Sequence, residues 1–122
     1  MSIIGGAGSA LAFSSASGGK VYSFNNISTT PQQVIGNNPS RTQLTFHNPD
    51  SVDIFIAPMI VLNAAGVGAP LMPTTSALGG CFRVFANGGT LVINGECQCA
   101  WQAFSVSGLT NPLTIMDTNL NT

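Results

Sequence analysis

The sequence offers few side chains that can support acid–base or nucleophilic chemistry. Its only histidine is His47, and a Ser-His-Asp set can be drawn from His47, Asp50 and Ser51. These three residues surround one Asn-Pro-Asp turn, and the strand geometry that would aim them at one another is absent. Asp50 is more typical of a turn residue whose carboxylate accepts backbone N–H groups. We therefore expect no enzyme and no catalytic residue, with a small hydrolase as the disfavoured alternative.

The three cysteines and the histidine together have the composition of a Cys₃His zinc site. Cys97 and Cys99 are separated by one residue, whereas zinc-binding pairs usually occupy a C-x₂₋₄-C turn. Together with Cys81 they make an odd number, which is not typical of a secreted disulfide scaffold. The sequence therefore predicts reduced, structural cysteines, no metal and no cofactor, with Cys97 and Cys99 as small core residues.

Aromatic residues raise the possibility of carbohydrate binding. Tyr22, Trp101 and Phe104 can stack on sugars if they lie on an exposed face. A lone tryptophan within a central strand is more typical of a core residue. A receptor- or carbohydrate-binding module thus stays open as an alternative function.

Charge is the most unusual part of the composition. Only 6% of the 122 residues are Asp, Glu, Lys or Arg, against about 25% in ordinary soluble domains, and the net charge is -1. A free monomer usually stays soluble through its charge, so this composition suits a chain packed against other proteins. We expect a homo-oligomer, most simply a closed trimer.

The same charge pattern excludes two classes of partner. The sequence has no basic patch to neutralise phosphates, so nucleic acid is not expected as a partner. It has no cationic helical face for a membrane surface, and proline and glycine interrupt its long uncharged stretch between Asp53 and Arg83. We expect neither a nucleic-acid nor a membrane protein.

Residues 1–19 differ in composition from the rest of the chain. They carry no basic residue and their apolar part is broken by glycines, so a signal peptide is not indicated and synthesis in a cytoplasm is expected. The segment is predicted to be a flexible or docked N-terminal arm, followed by a single domain over residues 20–122. Its apolar side chains are predicted to contact a neighbour: Ile3, Ile4, Leu11 and Phe13.

The domain itself is predicted to be all-β. Short runs rich in β-branched and aromatic residues alternate with turn signals, including Asn-Gly at two places. Eight short strands favour an antiparallel sandwich, jelly roll or small barrel, and we predict a sandwich of jelly-roll type. The predicted strands cover residues 21–24, 32–35, 43–47, 52–57, 81–86, 90–93, 97–106 and 113–117.

Residues 58–80 are apolar but rich in proline and glycine. They are predicted to form a long loop or crossover, and long loops of this composition usually serve a function. The predicted function is contact with another subunit, through Met59, Ile60, Val61, Leu62, Leu71 and Met72.

Two blocks of the sequence resemble small β-sandwich structural proteins of tailed bacteriophages, of the decoration or cement type. The first block is SRTQLTFHNP at 40–49 with VDIFI at 52–56, and the second is GGTLVI at 88–93 with CAWQAFSVSG at 99–108. In physical terms, Arg41 can pair with a carbonyl or an acid at a hairpin mouth, Asn48 can cap the turn, and Trp101 can fill the sandwich.

The resemblance implies a virion structural protein. The expected function is a capsid-decorating or cementing subunit that stabilises the shell through non-covalent contacts. Its partner would be the major capsid protein or another virion protein. The alternatives are a neck or tail adaptor and a receptor- or carbohydrate-binding module of a fibre or tail.

Overall fold

The chain folds into β-strands. The computed structural model describes residues 17–59, 61–62, 68–69, 80–95 and 97–120. None of these residues belongs to a helix, so this part of the chain contains no helix that could cross a membrane. The strands are β1 (Ser17–Ile27), β2 (Gln32–Ile35), β3 (Arg41–Asn48), β4 (Ile54–Pro58), β5 (Val61–Leu62), β6 (Gly68–Ala69), β7 (Phe82–Val84), β8 (Gly89–Asn94), β9 (Trp101–Ser105) and β10 (Asn111–Leu120).

Eight of these strands form two antiparallel four-stranded sheets. The first sheet has the order β1-β10-β3-β8 and the second has the order β2-β9-β4-β7. The remaining strands, β5 and β6, pair only with each other. The predicted all-β, antiparallel sandwich of eight short strands is therefore confirmed.

The strand pairs are nested within one another along the chain. β4 pairs with β7, β3 with β8, β2 with β9 and β1 with β10, all antiparallel. The innermost pair encloses residues 59–81, where β5 and β6 form their own short hairpin. The outermost pair joins the two ends of the described chain, with Ser17 opposite Leu120.

The core lies between the two sheets and follows from the period-2 pattern of the strands. In β3, Leu44 and Phe46 are fully buried, while Thr45 between them is only half-buried. The Phe46 ring meets Trp101 of the other sheet with ring centroids 5.8 Å apart. Burying one such large side chain contributes about 1.5–3 kcal/mol, so the buried side chains between the sheets together stabilise the fold. Trp101 is 4% exposed and fills the sandwich, as the sequence indicated.

Asn48 ends β3 and organises the turn that follows. Its side-chain oxygen accepts the N–H of Asp50 at 3.0 Å, and its Nδ2 donates to the carbonyl oxygens of Val52 at 2.8 Å and Val84 at 3.1 Å. Asn48 is fully buried, so these bonds also satisfy polar atoms that would otherwise be costly. The predicted capping function of Asn48 is confirmed.

All eight predicted strands are present, but two boundaries differ in ways that matter for the site. β1 begins at Ser17, so the last three residues of the predicted arm, 17–19, belong to a strand of the first sheet. β9 begins at Trp101, whereas the prediction began at residue 97. Within the predicted loop 58–80, the β5–β6 hairpin was not anticipated.

Candidate assembly surfaces

β1 forms one edge of the first sheet. It pairs with β10 along its length and has no strand on its other side among the residues that the structure describes. At 11 residues it is about twice the usual strand length of 5–6 residues. The free side of such a strand presents backbone N–H and C=O groups that can pair with another extended segment.

The β1 edge carries few of the features that normally protect an edge strand. Lys20 is its only charged residue, and it contains no proline. Val21 is 65% exposed, and Tyr22 is also exposed. A register shift between Phe24 and Ile27 disturbs only its C-terminal end. The edge from Ser17 to Phe24 is therefore suited to accept a strand.

Among the residues that the structure describes, the outward side chains in the three central rows of the first sheet carry no formal charge and several are exposed. Leu44, Phe46, Leu113 and Ile115 point into the core, so the alternate residues of the same strands point outward. The ladder register aligns these outward residues in three rows across all four strands. The middle row is Val21, Met116, Thr45 and Val92; the flanking rows are Ser23, Thr114, His47 and Thr90, and Gly19, Thr118, Gln43 and Asn94.

The outer side of the second sheet differs, because its central strands are covered there. Phe55 and Phe104 stack on that side with ring centroids 5.7 Å apart, and they are not part of the core cluster between the sheets. Phe104, Ala57 and Gln102 are nonetheless fully buried. Among the described residues, the outer face of the first sheet is therefore more exposed than that of the second sheet.

A surface depression of about 250 Å³ lies where β4 ends and β9 begins. The Met59 N–H donates to the carbonyl oxygen of Ala100 at 3.0 Å, and the Gln102 side chain donates to the carbonyl oxygen of Pro58 at 3.0 Å. These bonds fix the wall formed by residues 58–59. The lining residues are Gln33, Asn37, Pro58, Met59, Cys99 and Ala100.

The predicted contact residues are only partly within the described chain. Met59 is half-buried and lines the depression. Val61 and Leu62 form β5, opposite Ala69 and Gly68 of β6. The other predicted contact residues lie outside the described residues: Ile3, Ile4, Leu11, Phe13, Ile60, Leu71 and Met72.

Arg41 fixes the loops beside this depression. Its guanidinium binds the Asp117 carboxylate through Nε at 2.9 Å and Nη2 at 3.3 Å, and both side chains are almost fully buried. It also donates to the carbonyl oxygens of Gly36 at 2.8 Å, Cys97 at 2.9 Å and Cys99 at 3.1 Å. Arg41 thus pairs with both an acid and carbonyls, as predicted, and it acts as a structural residue.

The cysteines do not form a metal site in the described part of the chain. Cys97 is fully buried, Cys81 is half-buried and Cys99 is exposed, and all three are free. Burial raises the pKa of the Cys97 and Cys81 thiols. Among the described residues, no three His, Cys, Asp or Glu side chains are close enough to hold a metal ion. The prediction that Cys99 is a core residue is wrong, because the strand begins only at Trp101.

The residues of the hypothetical Ser-His-Asp set have structural partners. His47 Nδ1 lies 3.0 Å from Thr90 Oγ1 on the outer face of the first sheet. The Asp50 carboxylate accepts the backbone N–H of Ser51 at 2.7 Å, and the Asp50 carbonyl accepts the N–H of Asn87 at 2.6 Å. The predicted turn-forming function of Asp50 is confirmed.

Two of the three aromatic residues considered for sugar binding are buried. Trp101 and Phe104 are 4% and 0% exposed, which leaves Tyr22 at the β1 edge. Two further aromatic residues are exposed that were not predicted as site residues, Phe82 and Phe85, on and just after the short edge strand β7. Phe82 lies opposite Ile56 on this edge strand, and its ring centroid is 6.1 Å from that of Trp101, yet its side chain is half exposed.

Asp53 and Arg83 form a surface ion pair next to Phe85. The Arg83 guanidinium bonds to the Asp53 carboxylate and lies 4.7 Å from the centre of the Phe85 ring. Asp53 also accepts the N–H of Ala86 at 2.8 Å. The Ala86 N–H and then Arg83 lower the pKa of Asp53. This cluster fastens the turn after β7 to the start of β4.

Comparisons with known proteins find similarity to solved structures. No family model matches the chain, and neither does any curated protein. One similar solved structure belongs to Bacillus endospore appendages, described as a novel family of disulfide-linked pili; it has 8% identity and a TM-score of 0.49, covering 88% of this chain and 90% of that one. Another is the SPBc2 prophage-derived protein YomS, with 13% identity and a TM-score of 0.42, covering 85% and 94%.

Proposed function

We propose that the chain is a non-enzymatic structural subunit of a virus particle, made in the host cytoplasm and assembled in many copies. Its proposed task is to decorate or cement the capsid of a tailed bacteriophage through non-covalent contacts. The proposed partners are the major capsid protein or another virion protein, and further copies of the chain. A neck or tail adaptor is the nearest alternative, because it would use the same kinds of surface.

The observation that carries this proposal is the free edge of β1. In the sequence, β1 is directly preceded by residues 1–16, which include Ile3, Ile4, Leu11 and Phe13. Ordering such a segment costs about 1–2 kcal/mol per residue in backbone entropy. Four buried apolar side chains return only about 1.5–3 kcal/mol each, so main-chain hydrogen bonds to a partner must help. Strand addition at a neighbouring sheet edge supplies those bonds.

The placement of charge supports the same proposal. Arg41 and Asp117 neutralise each other in the interior, and Arg83 and Asp53 pair on the surface. Among the residues that the structure describes, Lys20 and Asp50 are the charged side chains outside an ion pair. A surface with so little free charge is better suited to burial against other proteins than to permanent contact with water.

The nested strand pairing supports the jelly-roll topology that was predicted from the sequence. A jelly roll consists of eight strands in two sheets, arranged as two Greek keys. Here the pairs β1·β10, β2·β9, β3·β8 and β4·β7 divide alternately between the two sheets. This is the arrangement expected when one long hairpin wraps around itself, and we infer a jelly-roll connection from it.

Rebinding to particles tests the proposed function. Purified virions of the source phage should contain the chain at a fixed copy number relative to the major capsid protein, measured by quantitative mass spectrometry. Capsids stripped of the chain should rebind it at that ratio and resist heating better than bare capsids. Absence from the virion, or rebinding only to tails, would contradict capsid decoration.

A glycan titration addresses the alternative of a receptor-binding module. The exposed rings of Phe82 and Phe85 are the described aromatic side chains that such a module would use, together with Tyr22. We expect no saturable binding to host-surface glycans. Saturable binding that is lost in Phe85→Ala, with capsid rebinding absent, would favour the receptor-binding alternative.

A further inference from the structure

We propose that the outer face of the first sheet is a contact surface between two copies of this chain, packed face to face about a two-fold axis. The face consists of the twelve outward residues of β1, β10, β3 and β8 in the three rows described above. This inference concerns the chain by itself, so it does not depend on whether the particle is a capsid or a tail.

The middle row gives the face an apolar centre. Val21 lies opposite Met116, Met116 opposite Thr45, and Thr45 opposite Val92, so the row crosses the whole sheet. Val21 is 65% exposed, Val92 is 45% exposed and Met116 is 40% exposed. Three large apolar side chains aligned in one open row form a patch rather than scattered exposed residues, and such patches mark contact sites.

The flanking rows are polar in a way that suits contact with an identical face. Apart from Gly19, they consist of Ser, Thr, Asn, Gln and His side chains, each of which both donates and accepts hydrogen bonds when neutral. Within the sheet, Gln43 donates to Asn94 at 2.9 Å, and His47 lies 3.0 Å from Thr90. Groups of this kind can pair with their own counterparts, whereas a lysine or a glutamate would repel its copy.

The order of the rows is self-complementary. A two-fold contact requires that the same surface serve both partners. A two-fold axis in the plane of the contact places the apolar middle row of one copy on the middle row of the other, and the polar rows on polar rows. This holds whether the axis runs along the middle row or perpendicular to it. In either case Val21, Met116 and Val92 meet the apolar row of the second copy.

The absence of charge favours a second copy over other partners. None of the twelve residues is Asp, Glu, Lys or Arg. A nucleic acid or an anionic membrane surface would need Lys or Arg on the face. A charged protein surface would lose hydration at a face that offers it no counter-charge. An identical uncharged face has neither problem.

The size of the face sets the expected strength of the contact. A stable interface uses about 20–30 residues on each side, and this face supplies twelve. The free protein should therefore pair weakly and reversibly, with pairing strengthened where other contacts hold many copies together. If copies also close into rings of three, the face joins two rings, so the pairing step doubles the mass of the smallest species in both cases.

Sedimentation velocity on the full-length chain tests the inference. We expect the wild-type mass to rise towards twice that of the smallest species as concentration increases. Met116→Lys and Met116→Glu should each raise the dissociation constant of this step at least tenfold, because like charges meet near the centre of the face. An equimolar mixture of the two variants should restore the doubling.

Leu109→Lys is the matched control. Leu109 is 74% exposed and lies in the loop between β9 and β10, outside the face, so this variant should associate as the wild type does. Unchanged thermal midpoints would show that all variants are folded. A wild type that never doubles, single variants that still associate normally, or a mixture that fails to recover would each overturn the proposal.

Discussion

Arg41 is the residue on which the packing of the loops depends most directly. We expect Arg41→Met to destabilise the fold by about 3–5 kcal/mol, because the Asp117 carboxylate would stay buried without its cation. The carbonyl oxygens of Gly36, Cys97 and Cys99 would lose a donor at the same time. Arg83→Ala removes the exposed ion pair and should cost only about 0–1 kcal/mol. Urea unfolding of both variants measures the difference, and equal losses would contradict the buried position of Arg41.

The cysteines differ enough in environment to be separated by their chemistry. Cys99 is exposed, whereas Cys97 is buried with a pKa that burial raises. Because the thiolate is the reactive form, a raised pKa leaves less of it at neutral pH. Iodoacetamide should therefore modify Cys99 first in the folded protein, and Cys97 should gain reactivity only at higher pH or on unfolding. Peptide mass spectrometry over a time course checks the order.

The same pair of cysteines also predicts a difference in stability. Cys97→Ala should cost about 1–3 kcal/mol through lost burial, while Cys99→Ser should stay within about 0.5 kcal/mol. Thermal unfolding of each single variant provides the measurement. Stoichiometric zinc in the purified protein that is lost when Cys97→Ala and Cys99→Ser are combined would instead support the Cys₃His metal site.

At the scale of elements, the N-terminal segment and β1 can be separated by two deletions. Removing residues 2–16 should leave the β domain folded with a similar thermal midpoint, while subunit association and particle binding drop strongly. Removing residues 2–19 also deletes the ladder partners of Leu120, Asn119 and Thr118, so its thermal midpoint should fall as well. Circular dichroism and capsid rebinding distinguish the two effects. Normal assembly after the shorter deletion would show that the segment is dispensable.

The positions of the strands could be predicted from the sequence, and their exact ends could not. The alternation of apolar residues such as Leu44 and Phe46 with polar residues indicates a strand with one buried face. This pattern lies within a few consecutive residues, so it can be read from the sequence. The ends depend on partners far along the chain: β10 pairs with Gly18 and Gly19 despite their weak strand preference, so β1 is longer than expected. Conversely, Arg41 takes the carbonyl oxygens of Cys97 and Cys99, so β9 starts later.

The candidate surfaces were harder to predict for the same reason. Val21, Met116, Thr45 and Val92 are scattered over 96 sequence positions (21 to 116), and none stands out from its neighbours. They become one row only through the register of three strand pairs. Similarly, β1 becomes an edge only through the order of the first sheet. Both surfaces are properties of pairing, which a single sequence does not reveal.

At the scale of the whole molecule, the low charge predicts how association responds to salt. The sequence suggests a closed oligomer, with a trimer as the simplest form, and the described surfaces carry few free charges. Ionic strength screens exposed charges but hardly affects apolar contacts. The hydrodynamic size should therefore change little between low and high salt. A strictly monomeric particle at all salt concentrations, measured by analytical ultracentrifugation, would contradict this expectation.

The place of β10 in the first sheet affects how the protein folds during synthesis. Among the described strands, β10 follows all the others along the chain, yet it lies between β1 and β3. During synthesis, β1 therefore cannot pair with β10 until almost the whole described chain has emerged from the ribosome. Folding dominated by such distant pairings is slow, in the millisecond-to-second range for comparable β proteins. The refolding time measured by stopped flow with Trp101 fluorescence should fall in that range. A truncated chain without β10 cannot complete the first sheet, because β10 joins β1 to β3, and it should therefore not associate with other copies through that sheet.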